Sequence, residues 1–147
     1  MIKLSTRTRY GVRLMLDLAQ KHGSGPVLLK EIAKEEGLSE KYLSLIVIPL
    51  KASGLLKGLR GASGGYTLSR EPSEITLKEI VESLEGKIFL VDCDPDPKSC
   101  TRSGVCATRD IWQVIAAKIT GELESMTLSN LVRTSREKLG GSSDYNI

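Results

Sequence analysis

The sequence predicts a mainly α-helical chain carrying one small β-hairpin, and three observations support that reading. Apolar residues recur at helical spacing from Val12 to Ala19, and again from Ile111 to Ile119. Two short helical stretches meet at Gly37 and Ser39, a helix-breaking glycine followed by a natural N-cap. Directly afterwards, between Leu55 and Leu68, two short apolar stretches flank a glycine-rich tip.

Taken in order, the first helix is expected from about Thr6 to His22. Ser5 or Thr6 would cap it, Gly23 would end it, and Val12, Met15, Leu16 and Ala19 would face the core. Gly23-Ser24-Gly25-Pro26 reads as a turn. The stretch from Leu29 to Leu43 reads as helix, tight turn, helix, with Ala33 small where two helices cross and Gly37 at the turn. Ile32, Leu38, Leu43 and Ile46 form its apolar seam. The second helix of the pair should reach about Ser53, with a kink or an early end at Pro49, which lacks the N–H. A hairpin straight after a helix-turn-helix makes the whole a winged helix-turn-helix. Thr76 and Glu79 form a capping-box pattern opening a helix to about Leu84, which Gly86 ends. A long helix begins near Thr108 with Ile111, Val114, Ile115 and Ile119 on one face and Trp112 beside them. Met126 to Val132 reads as a further short helix capped by Thr127.

The 147 residues suit one compact domain with an appendage. No apolar run approaches the ~18 residues of a membrane span. The opening Met1 to Arg7 has no apolar run after its charges and is not read as a signal peptide, so a cytoplasmic protein is expected. Residues 1–70 hold 12 Lys and Arg against 5 Asp and Glu, whereas residues 71–147 hold 9 against 13. A basic front half suits a polyanion, because Lys and Arg release counterions condensed on nucleic acid.

A helix-turn-helix lays its second helix in the major groove with its N-terminal residues at the base edges. The candidates there are Ser39, Glu40, Lys41, Tyr42 and Ser44, each equally open to an inert surface role. Arg60 stands at the start of the glycine-rich tip, where a slim loop can carry it into a narrow minor groove. Gly61, Gly64 and Gly65 keep that loop thin. The glycines are not a phosphate-binding P-loop, since no Lys-Ser/Thr pair follows Gly65.

Cys93, Cys100 and Cys106 are the only cysteines, separated by six and five residues within a polar, turn-rich loop. Clustered thiols in a reducing compartment point to metal or redox chemistry, and thiolates suit iron–sulfur clusters, zinc or copper. A zinc ribbon would show tighter pairs. The wider spacing is compatible with a larger cluster, but a cluster usually takes four protein ligands.

The opening from Leu4 to Val12, the Ile32-Ala33 to Tyr42-Leu43 segment, the wing Arg60-Gly61-Ala62-Ser63-Gly64-Gly65-Tyr66 and the three cysteines together resemble the iron–sulfur cluster regulator family of winged-helix repressors. The resemblance runs to about residue 133. It implies a homodimer with crossed C-terminal helices, bound to double-stranded DNA with two-fold symmetry. It assigns the groove reader to the helix beginning at Ser39, the minor-groove arginine to Arg60, and the cluster ligands to Cys93, Cys100 and Cys106. The cluster implied is two-iron two-sulfur, with four-iron four-sulfur as the alternative, and the genes implied are those of cluster assembly or stress. Two positions depart from the family pattern. Arg109 stands where one branch has a histidine three residues after the third cysteine, and Arg9 where a nitric-oxide-sensing branch has an aspartate. The first cysteine spacing is also one residue longer than the commonest pattern. The fourth ligand is therefore open among Asp110, Asp92, Asp94, Asp96, His22 and an exogenous group. His22 reads rather as a helix C-terminal residue.

The expected organisation is a winged helix-turn-helix over 1–85, a cysteine loop over 86–107, a dimerisation helix region over 108–133 and a flexible tail over 134–147. Two rivals remain at this point. One keeps the winged helix and makes the cysteines a zinc site or a thiol redox or nitric oxide switch. The other is a protein-binding adaptor in cluster assembly, disfavoured by the basic front half. No enzyme is expected, since no nucleophile elbow, Cys/His pairing motif or cofactor fingerprint occurs.

Overall fold

The computed structural model describes residues 2–62 and 64–143. Helix α1 (Thr6–Gln20) starts where the Ser5 hydroxyl accepts the Thr8 N–H. Its buried apolar face is Gly11, Leu14, Met15, Leu18 and Ala19; Met15 and Ala19 face the core as expected, whereas Val12 and Leu16 sit half-buried at its edge. The difference has a cause in packing: α1 is the central helix, contacted by several others, so both of its apolar edges are used.

Helix α2 (Leu29–Glu36) ends at Gly37, whose φ of 66° is the left-handed backbone that the turn requires. Ser39 then caps α3 (Glu40–Ala52), accepting the Tyr42 N–H. Pro49 does not end α3 as expected. The helix continues to Ala52, and the carbonyl left without a donor belongs to Leu45, an exposed residue where water can take that bond. An ionic contact ties α1 to α2. Buried Asp17 lies 2.8 Å from Lys21 Nζ, in ion-pair contact without a hydrogen bond to that oxygen, and the same ammonium bonds both oxygens of Glu35. Burial pushes the Asp17 carboxyl up from its ordinary range, against the pull of Lys21.

Strands β1 (Leu56–Leu59) and β2 (Gly65–Leu68) pair antiparallel, with Leu56 opposite Leu68 and Leu59 opposite Gly65. A bridge from Val27 to Tyr66 docks the hairpin onto the turn before α2. It fixes Gly65: with φ at 139°, an added Cβ would strike the Val27 carbonyl. The hairpin following a helix-turn-helix makes the N-terminal body a winged helix.

Helix α4 (Leu77–Glu85) carries the full Thr76–Glu79 capping box and stops at Gly86. Burial alone would raise the Glu79 carboxyl, but the Thr76 N–H and the Arg70 guanidinium, 2.7 Å away, hold it below its ordinary range. Helix α5 (Ala107–Ser125) packs on α4 and buries only Ala116 among its own residues.

Helix α6 (Leu128–Ser143) differs from expectation in length and in place. The chain is helical from 134 to 143, where a flexible tail is expected, and the rest of that tail, 144–147, lies outside the described residues. Its start returns to the N-terminal body. Leu77 N–H bonds the Met126 carbonyl, Leu128 N–H bonds the Ile75 carbonyl, and Leu128 and Val132 join the buried core beside α1. Thr127 caps it, as expected, by accepting the Asn130 N–H. Among the described residues, no helix is long and apolar enough to cross a membrane.

Candidate nucleic-acid interface and cysteine loop

The winged helix creates an open cleft of about 690 Å³ between α3 and the hairpin, bounded by Glu40, Lys41, Ser44 and Lys51 on one side and Leu59 and Arg60 on the other. Glu40, Lys41 and Arg60 are exposed, and none of the cleft's cations has an ion-pair partner among the described residues. Free cations on a cleft's rim match the phosphates that flank a groove. Other expected groove residues have structural duties. The Ser39 oxygen is occupied by its cap, and the Ser44 hydroxyl donates to the Lys41 carbonyl at 2.6 Å. Tyr42 is turned to α1, edge-on to Tyr10 with ring centroids 6.1 Å apart. Gly61 lies exposed at the wing tip, whereas Gly64 is buried and Gly65 half-buried at its base, so the last two shape the wing from within.

The cysteine loop joins α4 to α5 and is fastened to the first two turns of α5. Arg109 Nε donates to the Cys93 carbonyl at 3.1 Å, and Gln113 Nε2 to Asp94 at 2.7 Å. These two residues, four apart on one helix face, are a tie the sequence reading missed. Their spacing was the available signal. Cys106 is the N-cap residue of α5, with Sγ 3.0 Å from the Thr108 hydroxyl. That hydroxyl, the Arg109 N–H and the charge of Arg102 pull its thiol below the ordinary range and favour the thiolate. Cys100 is exposed, and Cys93 half-buried.

Among the described residues no three His, Cys, Asp or Glu side chains gather into a metal-binding cluster, so the three sulfurs stand apart in this conformation. The donor chemistry still fits a cluster: three soft thiol ligands lie on one short loop, one of them favoured as thiolate. Of the fourth-ligand candidates, Asp94 is engaged by Gln113, Asp96 accepts the Lys98 N–H, and His22 Nε2 lies 3.3 Å from Glu71. Asp92 and Asp110 are exposed.

A cleft lined by Lys41, Lys51 and Arg60 between a helix and a wing is the arrangement of a DNA-binding transcription regulator, and known proteins similar to this chain fall in that class. The chain belongs to the Rrf2 family, described as an iron-dependent transcriptional regulator, which it matches over residues 4–134. It is 43% identical over 130 residues to the HTH-type transcriptional regulator CymR of Bacillus subtilis, covering 88% of this chain and 89% of that one. The solved structure of CymR, the global cysteine regulator of B. subtilis, superposes with a TM-score of 0.77 at 42% identity, over 91% of this chain and 98% of that one. T. potens IscR superposes with a TM-score of 0.76 at 38% identity, over 93% and 90%.

Proposed function

We propose that the chain is a cytoplasmic homodimeric repressor that binds a two-fold-symmetric DNA operator and whose grip on it is set by an iron–sulfur cluster held by Cys93, Cys100 and Cys106. The observation that carries this reading is the arm between α4 and α6. It places three thiols at the foot of α5, and α5 presents Ile111, Val114 and Ile115 exposed among the described residues. Trp112 is exposed beside that stripe. Dimerisation covers the stripe and sets the spacing of the two reading helices, so a change in the loop reaches the DNA through α5.

In this mechanism a bound cluster supplies a rigid crosslink and a redox- and iron-sensitive charge. The protein does the rest. Arg109 and Gln113 hold the loop against α5, Thr108 and the first N–H groups of α5 favour the Cys106 thiolate, and Arg60 enters the minor groove. Cys93, Cys100 and Cys106 would hold the cluster, and it could change DNA affinity only by interacting differently with two states of the protein. The genes regulated are those of cluster assembly or related stress responses.

The test is the visible absorption spectrum of anaerobically purified protein, with iron and sulfide assayed on the same sample. Charge-transfer bands with equal iron and sulfide support the reading. A protein that stays colourless after anaerobic reconstitution removes it. Arg60→Ala is expected to weaken binding to the operator more than to random duplex, and unchanged affinity would take Arg60 out of the interface.

A second reading is favoured by the thiolate-prone Cys106. In it the cysteines act as a zinc site or as a thiol switch on the same winged helix. Zinc analysis and thiol counting before and after mild oxidation separate it from the first.

A further inference from the structure

The face of α3 turned away from the core is apolar at its centre. Leu43, Ile46, Val47 and Leu50 point inward, at most 2% exposed. At 100° per residue the opposite direction falls on Lys41, Leu45 and Ile48. Leu45 is 56% exposed and Ile48 62%. A single exposed leucine carries no message. Here two large aliphatic side chains stand three residues apart on one helix face.

We infer that Leu45 and Ile48 read thymine methyl groups on the floor of the operator's major groove, an inference that rests on the DNA-binding reading above and deepens it. Two observations select this occupant. First, Lys41 shares their direction on α3 and Lys51 lies on the same helix, so cations flank the pair. A second copy of this chain would bring the same cations against them. A duplex brings phosphates to the rim, and the thymine C5-methyl is the one apolar group on the groove floor. Second, α3 has few polar groups left for reading bases. The Ser39 oxygen serves the cap and the Ser44 hydrogen is donated to the helix backbone, and Glu40 and Lys41 carry the exposed charged ends on its first turns. Discrimination along the rest of the helix falls to shape and to methyl contact. Leu45, in the second turn, lies nearer the groove-entering end, and Ile48 follows in the third.

The experiment uses the full-length chain. Duplexes are selected from a randomised pool with the unaltered protein. Each thymine of the enriched sequence is then replaced in turn by deoxyuracil, which deletes only the methyl group. At the contacted positions the replacement is expected to weaken binding about three- to five-fold, the worth of one buried methyl. In Leu45→Ala or Ile48→Ala the same replacement is expected to cost less than about 1.5-fold, because the methyl has already lost its partner. Both positions are exposed, so folding is not at stake, and the deoxyuracil scan with unaltered protein needs no variant. Indifference of the unaltered protein to every deoxyuracil overturns the inference while leaving DNA binding intact. So does a full methyl effect that persists in both variants. Variants that select the same sequence but lose self-association overturn it too, by showing that the pair covers protein. If no duplex is enriched at all, the DNA-binding reading fails first.

Discussion

The N-terminal body and the arm that leaves it are built from the same aliphatic residues and use them in opposite ways. In the body, Leu14, Met15, Ile32, Leu43, Leu50 and Ile80 are wholly covered by α1 to α4 and α6. In the arm, the 19-residue α5 covers Ala116 and leaves Ile111, Val114 and Ile115 at 54%, 56% and 37% exposure. The body satisfies its own hydrophobic surface, while the arm leaves its apolar stripe and Cys100 exposed. The two stretches thus differ in how much of their own surface they cover, and substitutions in each should register in different measurements.

The largest effect on folding is expected inside the body. Leu14→Ala should lower the unfolding free energy by about 3 kcal/mol in urea titrations, from lost burial and the cavity left behind. A loss below about 1 kcal/mol would mean that the body is not the cooperative unit. Val114→Asp sharpens the contrast. It should raise the dimer dissociation constant at least about tenfold by sedimentation while shifting monomer unfolding by no more than about 0.5 kcal/mol. Unaltered self-association would move the dimer interface off α5. Glu79→Ala, at the capping box, should cost about 0.5–1 kcal/mol at pH 7, a value already reduced for its partly exposed position. Because the folded state depresses this carboxyl, its contribution is complete above the ordinary glutamate range near 4.5 and is lost as pH falls through the depressed value. The gap between variant and parent should therefore close in acid, and urea titrations at about pH 7 and pH 3 read it directly. The smallest effect on folding is expected at the arm's exposed thiol. Cys100→Ser should leave the melting curve in place within about 1 °C, and a large drop in metal-free protein would make the loop part of the body.

Much of the body was legible because its signals are local. Gly37 and Ser39 state a turn and a cap, Thr76 and Glu79 state a helix start, and the glycines around Arg60 state a hairpin. Each depends on residues a few positions apart. The misread features depend on distant ones. The buried edge of α1 is chosen by helices that follow it in the chain, so Leu14 and Leu18 could not be separated from Val12 and Leu16 by periodicity alone. Pro49 forecasts a helix end, but the tolerance of that break comes from the exposure of Leu45. Polar residues and paired glycines near 134–143 read as a tail, and the docking of Leu128 and Val132 on α1 supplied what local propensity did not. At the candidate site, the cysteines were visible as a cluster in sequence, but the Arg109 and Gln113 ties that orient their loop were not. The edge-on contact of Tyr42 with Tyr10 was not visible either.

The backbone bonds linking Leu77 to Met126 and Ile75 to Leu128 bear on how such a molecule can change over time. The chain leaves the body at the end of α4 and re-enters it beside the start of the same helix, a distance of about 12 Å for nine residues. Everything between Gly86 and Ser125 is topologically an insert in a closed frame. Its length and its thiols can be exchanged without rethreading the core, so the N-terminal body keeps its fold whatever the insert carries.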